Sequence, residues 1–175
     1  PKERLTLVDP RDKSHDLEAR ARSFLHANCK HCHVMSGGGN AYVVLTAHDS
    51  LEKHRLLDAR PYQNDFGLTD ARILAPGDPA RSVLYYRLST MGSGHMPPIR
   101  SDNVDFESIK VIREWIASME TPEGTDPATL QGRAKVTATL HRLCKATALD
   151  EASRADVSTL LESTSATLAL LDAVE

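Results

Sequence analysis

Apolar residues recur at helical spacing in several separate stretches of this chain, and prolines and glycines separate these stretches. The first apolar face consists of four residues at spacings of three and four: Leu17, Ala21, Phe24 and Leu25. Asp16 is a suitable N-cap residue, and Glu18 complements the helix dipole in the first turn. The pattern therefore predicts an amphipathic helix that begins after Asp16 and runs directly into Cys29.

Similar patterns predict helices further along the chain. Asp78-Pro79 place an N-cap residue before a proline at the first helical position, so a helix is expected from there to about Thr90. Asp105 is the predicted N-cap of a second strong helix, which we expect to cross the first one. Its apolar face comprises Ile109, Ile112, Trp115, Ile116 and Met119. A short helix is expected over residues 50–57, and residues 42–46 form a β-prone run.

The last 53 residues of the 175 have a different composition, in which alanine and threonine dominate. Asp126-Pro127 begins another helix, and apolar residues continue at helical spacing after a break at 150–155. This pattern predicts a helical hairpin. We therefore expect a mainly α protein with one domain over 1–122, of which 1–15 is an extended lead-in, followed by a helical extension over 123–175.

Residues 29–33 read Cys-Lys-His-Cys-His, which is the Cys-x-x-Cys-His attachment signature of c-type haem. Each thiol can add to one haem vinyl group, and two intervening residues place both sulfurs along one edge of the porphyrin. The histidine that follows can bind the iron through a ring nitrogen. The motif predicts one covalently attached haem c, with Cys29 and Cys32 as anchors and His33 as an axial ligand, in a mainly α cytochrome c-like fold.

A Cys-x-x-Cys pair also occurs in zinc sites and in redox dithiols, and both remain alternatives. A structural zinc site usually needs a second ligand pair. His31 and His33 could complete a Cys2His2 set, although adjacent ligands on so short a loop would be strained. The remaining cysteine, Cys144, lies far along the chain and is predicted to be a buried small apolar residue.

Residues 92–99 read Gly-Ser-Gly-His-Met-Pro-Pro-Ile, which predicts a stiff loop. The glycines permit tight turning, and the prolines fix φ and remove backbone donors. Met96 lies in this loop and carries a soft thioether suited to haem iron. It is far enough along the chain from His33 to reach the opposite haem face. Met96 is therefore the predicted second axial ligand. Its competitors are His95, Met91 and Met119.

Composition and charge limit the classes of partner. The net charge of −3 and the pI near 6.3 provide no basic surface for nucleic acid. No apolar run approaches the length of a transmembrane helix. Aromatic residues make up only 5% of the chain, a shortage that a buried porphyrin would offset. Arg60 and Arg72 are candidates to pair with a haem propionate.

Three stretches resemble a known family: residues 17–28 before the cysteine motif, residues 71–87, and residues 94–99 around Met96. They are similar to the C-terminal cytochrome c domains of large exported proteins from planctomycetes and related bacteria. The resemblance covers about residues 8–119. It implies a monohaem class I cytochrome c in which Cys29 and Cys32 anchor the haem, His33 is the proximal ligand and Met96 the distal one. It also implies a redox partner, such as a fused or docked dehydrogenase-like module.

The expected function is one-electron transfer by a protein that is not an enzyme, because both axial positions are filled. One alternative is a ligand-binding or peroxidase-like haem protein in which Met96 is displaced. Another is an interaction module that acts through its C-terminal extension. Covalent haem attachment normally follows export, and the chain begins without a signal peptide, so we expect a mature or excised piece of an exported, periplasmic protein.

Overall fold

The computed structural model describes residues 6–39, 42–98, 103–148 and 150–174. Within these residues the chain forms seven α-helices and no strand, which confirms the predicted mainly α class. The helices are α1 (Leu17–Cys29), α2 (Leu51–His54), α3 (Val83–Ser89), α4 (Phe106–Ser118), α5 (Pro127–Lys145), α6 (Glu151–Leu160) and α7 (Thr164–Val174). A 3-10 turn, Pro79–Arg81, precedes α3.

The two helices with the clearest apolar faces begin at the predicted caps. The Asp16 carboxylate accepts a hydrogen bond from the backbone N–H of Ala19 at 2.8 Å, which satisfies one free donor at the start of α1. The Asp105 carboxylate accepts from the N–H of Ser108 at 3.2 Å and begins α4 in the same way. Both predicted starts are confirmed, and α1 ends at Cys29 as expected.

Helices α1 and α4 pack against each other and form the centre of the hydrophobic core. Trp115 of α4 belongs to the same buried cluster as Phe24 and Leu25 of α1. Burial of apolar surface contributes about 25 cal/mol per Å², so this pair of helix faces is a main source of the stability of this region. The core places the C-terminal end of α1, and with it Cys29, against a well-packed support.

The helix expected from Asp78 to Thr90 is broken in two. Ser82 is fully buried; its hydroxyl donates to the Asp78 carbonyl at 3.0 Å and accepts from the N–H of Ala75 at 2.9 Å. These bonds hold Ser82 in an extended conformation, and α3 begins only at Val83. A side chain that bonds neighbouring backbone groups competes with the helix, which the helical spacing did not reveal.

The β-prone run at 42–46 forms no strand. Its backbone makes isolated hydrogen bonds instead. The N–H of Val44 donates to the His54 carbonyl at 3.2 Å, and that of Leu45 donates to the His33 carbonyl at 2.9 Å. Val43 and Leu45 are buried in the core. The run therefore packs alongside the cysteine motif without a partner strand.

The C-terminal extension contains three helices, so the predicted hairpin is wrong. The break and restart predicted at 150–155 corresponds to the start of α6, where the Asp150 carboxylate accepts from the N–H of Ser153 at 2.8 Å. A second break follows Leu160, and the Ser163 hydroxyl then accepts from the N–H of Ala166 at 3.2 Å at the start of α7. Ser163 is one polar residue within an apolar-periodic stretch, and the periodicity alone hid this second cap.

Cys144 is exposed, not buried as predicted. Helix α5 buries only Thr129 and Thr139 of its 19 residues, and Cys144 lies on its solvent side. None of the described helices is both long enough and apolar enough to cross a membrane.

The extension packs on the preceding part of the chain through a few polar contacts. The Tyr85 hydroxyl donates to Asp172 of α7, and the N–H of Thr69 donates to the Ser165 hydroxyl at 2.9 Å. Arg133 of α5 donates to the Gly77 carbonyl at 3.0 Å. The extension therefore lies against α3 and the loop that precedes it.

Candidate functional site

The cysteine motif forms a tight turn at the C-terminal end of α1. The backbone N–H groups of Cys32 and His33 both donate to the Cys29 carbonyl, at 3.1 and 2.9 Å. Cys29 is buried in the core, Cys32 and His33 are half-buried, and His31 is exposed. The turn therefore holds the backbones of the three residues predicted to bind the haem close together, and it leaves His31 in solvent.

The glycine-rich segment after the motif closes over this turn. A Cβ atom on Gly37 would overlap the Cys32 carbonyl oxygen, and a Cβ atom on Gly39 would lie 3.1 Å from both Cε1 and Nδ1 of His33. The N–H of Gly39 also donates to the Cys32 carbonyl at 3.0 Å. Only glycine permits the backbone to pass so close to the His33 ring, so these glycines belong to the site.

The His33 imidazole is in the form that binds a metal ion. Burial and the nearby positive charge of Arg87 lower the pKa of His33, and the Val43 backbone only partly opposes this effect. The ring is therefore neutral at pH 7, as iron ligation through a ring nitrogen requires. Its Nδ1 is buried without a hydrogen-bond partner among the described residues.

The zinc and dithiol alternatives fit this geometry poorly. In the described part of the chain, no three side chains of histidine, cysteine, aspartate or glutamate are grouped as metal ligands. His31 and His33 therefore do not complete a Cys2His2 set with the cysteines. Burial raises the pKa of the Cys29 thiol to about 12, whereas reactive dithiols need a lowered pKa. Both cysteines are free thiols, as thioether formation requires.

The donors that remain fit a c-type haem. Such a haem takes two thiols for attachment and one protein nitrogen on the iron, with a second axial ligand from elsewhere in the chain. Cys29, Cys32 and His33 supply the first three from a single turn.

The predicted second ligand, Met96, is half-buried, and its backbone is held by α3. The N–H of Met96 donates to the Arg87 carbonyl at 2.9 Å. The competitor His95 is bound to the backbone nearby, because its Nδ1 donates to the Thr90 carbonyl at 2.6 Å. Met91 is largely exposed. Of these three loop residues, Met96 is the one that combines a backbone bonded to α3 with a half-buried side chain that makes no hydrogen bond among the described residues.

Arg87 connects the two halves of the candidate site. Its charge acts on His33, and its backbone carbonyl holds Met96. Burial lowers the pKa of Arg87, and no carboxylate among the described residues pairs with it. We did not assign Arg87 from the sequence. A charged residue at position 87, among the apolar positions 83, 84 and 88 of α3, was the available signal.

The two arginines proposed as propionate partners bind a carboxylate of the chain instead. Arg72 pairs with Asp58 at 2.9 Å and with Asp70 at 2.6 Å, and its side chain is only 13% exposed. Arg60 lies 3.8 Å from Asp70 and is 77% exposed. Asp70 also accepts from Arg81 at 2.5 Å, so these residues form a separate cluster of charges.

Comparisons with known proteins identify no relative of the chain. No family model, no curated protein and no solved structure matches it. The cysteine motif at 29–33 and the loop that carries Met96 are therefore the basis for assigning a function.

Proposed function

We propose that the chain is a monohaem c-type cytochrome that carries single electrons. Cys29 and Cys32 would attach the haem through thioether bonds, and His33 and Met96 would bind its iron. The observation that carries this proposal is the turn at 29–33, which presents two free thiols beside a half-buried imidazole, with the glycine backbone at 37 and 39 packed closely against the turn. When bound, a c-type haem supplies a one-electron Fe(III)/Fe(II) couple.

The side chains around the site would favour the reduced state. A thioether ligand raises the reduction potential relative to a second histidine, because the soft sulfur stabilises Fe(II). The half-buried charge of Arg87 acts in the same direction, since a nearby cation opposes the additional positive charge of the oxidised site. With His33 and Met96 both engaged, the chain's role is to bind and orient the redox group. A docked or fused redox partner outside the cytoplasm would exchange the electron.

The first experiment tests covalent attachment in a host that attaches haem c. The wild-type protein should retain haem in a denaturing gel and after acid–acetone extraction, with the corresponding mass increase. Cys29→Ser combined with Cys32→Ser should abolish this retention. The matched control is Cys144→Ser, because Cys144 is exposed on α5 and should leave haem attachment unchanged. Haem retained by the double variant would disprove the proposal.

The second experiment tests the two axial ligands by absorption spectroscopy. His33→Ala should abolish the low-spin spectrum, whereas the exposed control His31→Ala should preserve it. Met96→Ala should remove the far-red Met–Fe(III) band, lower the potential and open the sixth site to imidazole or carbon monoxide. Met91→Ala is the control from the same loop. Carbon monoxide binding to the unaltered protein would favour a ligand-binding haem protein instead.

A further inference from the structure

Phe66 has a rare backbone conformation in the loop beside α3. Its φ is +56°, in the left-handed region that bulky side chains seldom adopt. Such a conformation persists only where the surroundings hold it, and it is often found at functional sites. Here the N–H of Phe66 donates to the Asn64 side chain at 2.7 Å, and that of Gly67 donates to Asp65 at 2.9 Å. These bonds stabilise the turn that presents the aromatic ring.

The Phe66 ring contacts two consecutive residues of α3. It stacks on Tyr86 with a centroid separation of 4.8 Å and an interplanar angle of 27°. The Arg87 guanidinium lies 4.9 Å from the centroid of the Phe66 ring, within the range of a cation–π contact. Phe66 thus packs against the end of α3 that also holds Met96.

The same ring lies directly against the loop that carries Met96. A Cβ atom on Gly94 would lie 2.5 Å from Cε1 and 2.9 Å from Cζ of Phe66. Two residues later, the N–H of Met96 donates to the Arg87 carbonyl at 2.9 Å. The loop is therefore restrained at two points, by the Phe66 ring at Gly94 and by the α3 backbone at Met96.

Helix α7 of the C-terminal extension abuts the Phe66 turn. A Cβ atom on Gly67 would lie 3.0 Å from the Thr164 hydroxyl oxygen at the start of α7. The N–H of Thr69 donates to the Ser165 hydroxyl at 2.9 Å, and Leu168 of α7 is buried in the core. The extension therefore closes one side of the turn that holds the ring.

We infer that Phe66 is a positioning residue that fixes the loop carrying Met96, and that α7 holds the Phe66 turn in place. This inference rests on the proposed function, since it concerns iron ligation by Met96. It assigns the extension a role inside the molecule. With haem bound, α7 and Phe66 would keep Met96 in position and so oppose displacement of its thioether by an external ligand.

Two glycines of the loop provide a matched test. Gly92 and Gly94 have φ of +94° and +93°, so alanine strains the backbone equally at both positions. A Cβ atom on Gly92 would have no neighbour within 4 Å, whereas one on Gly94 would meet Phe66. Gly94→Ala should therefore weaken the far-red Met–Fe(III) band, and imidazole should bind the oxidised variant about tenfold more tightly, equivalent to about 1.4 kcal/mol. Gly92→Ala should show neither change.

A readout that does not depend on haem is hydrogen exchange of the Met96 amide. Gly94→Ala should accelerate this exchange about tenfold more than Gly92→Ala, because the loop loses its contact with the ring. Phe66→Leu should act in the same direction, with the exposed Tyr62→Leu as its control. The Phe66→Ala variant lacks the ring. When Gly94→Ala is added to that variant, it should accelerate exchange of the Met96 amide no more than Gly92→Ala does.

The role of α7 is tested with two serines of the extension. Ser165→Ala removes the acceptor for the Thr69 N–H and should accelerate exchange of the Met96 amide, by less than Gly94→Ala does. Ser158→Ala on the exposed side of α6 is the control. An exchange rate that is the same in both serine variants would overturn the role of α7.

The possible failures are distinguishable. If the unaltered protein carries covalent haem and the far-red band, and Gly92→Ala and Gly94→Ala behave alike, the assignment of Phe66 is wrong while the proposed function stands. Covalent haem without the far-red band would exclude Met96 as a ligand and overturn the inference. An unaltered protein without covalent haem would overturn the proposed function and this inference together.

Discussion

The part of the molecule around the cysteine motif and the C-terminal extension are both helical, but they are stabilised in different ways. Helices α1 and α4 each bury six of their 13 residues, most of them in one apolar core. Helix α5 buries only two of its 19 residues, both threonines. The first region therefore depends on its own core, and the extension depends on a small number of contacts with that region.

This difference indicates which part of the protein opens first. Local stability follows the number of buried apolar contacts, so the extension should exchange its amide hydrogens faster than α1 and α4. Leu168 is the buried side chain by which α7 joins the core. The region with the larger core holds Cys29, whereas the less stable extension adjoins the Phe66 turn.

The largest effect on stability is expected from the core of the first region. Ile112 is fully buried on α4, so Ile112→Ala should lower the free energy of unfolding by about 2–5 kcal/mol through lost burial and a residual cavity. Denaturant unfolding measures this change. Leu130→Ala on α5, where the leucine is 41% exposed, is the control and should change stability by less than about 0.5 kcal/mol. Equal losses would show that the two regions share one core.

Leu168→Ala should separate the two regions. The change should cost about 2–4 kcal/mol, because it removes the buried side chain that joins α7 to the core. Hydrogen exchange should accelerate throughout α7 and leave the slowest amides of α1 and α4 unchanged. A uniform acceleration across all helices would contradict the proposed difference in local stability.

The Asp70 cluster should make stability dependent on pH. Burial acts to raise the pKa of Asp70. The hydrogen bond from Arg72 and the charges of Arg81, Arg72 and Arg60 lower the pKa by more than burial raises it, so it lies below its usual value of 3.8. The folded state thus favours the carboxylate. This contribution is present above pH 3.8 and is lost as the pH falls through the lower folded-state value.

Asp70→Asn should therefore cost about 1–3 kcal/mol at pH 7, because two arginines lose a charged partner. Unfolding measured from pH 7 to pH 2 should show the difference from the wild type shrinking below pH 3.8. The Asp70 carboxylate also lies 3.4 Å from the Thr129 hydroxyl of α5, so the variant should loosen the extension as well. A difference that stays constant down to pH 2 would exclude a stabilising carboxylate.

The smallest effect is expected from an ion pair within the extension. Arg142 and Asp156 join α5 to α6 with a separation of 2.7 Å, but the arginine side chain is exposed. Solvent and salt screen such a pair, so Arg142→Ala should leave the thermal midpoint indistinguishable from the wild type. A clear drop would show that polar contacts hold the extension together more strongly than this comparison implies.

Local signals predicted the starts of the main helices well. Caps such as Asp16 and Asp105 act on backbone groups two or three residues away, so the sequence carries them directly. The breaks at Ser82 and Ser163 were missed because a serine hydroxyl stops a helix only where a suitable partner is in reach. Cys144 was misplaced because α5 has only a weak buried face, which its periodicity did not reveal.

Arg87 and Phe66 were missed for a different reason. Both act on segments elsewhere in the sequence. Phe66 contacts Tyr86 and Gly94, while the charge of Arg87 acts on His33 and its carbonyl accepts from the N–H of Met96. Neither residue belongs to a motif. The positive φ of Phe66 is also invisible in the sequence, because a phenylalanine gives no indication of it.

By itself, the sequence determined the mainly α class, the helix that ends at Cys29, and the set of side chains available for haem attachment and ligation. These features depend on spacing and capping within one segment. Only the tertiary structure decided that the backbone of Met96 is bonded to α3, that half-burial and the charge of Arg87 lower the pKa of His33, and that the extension adjoins the Phe66 turn. Burial, charge interactions and ring contacts arise between segments, so they exist only once the chain is folded.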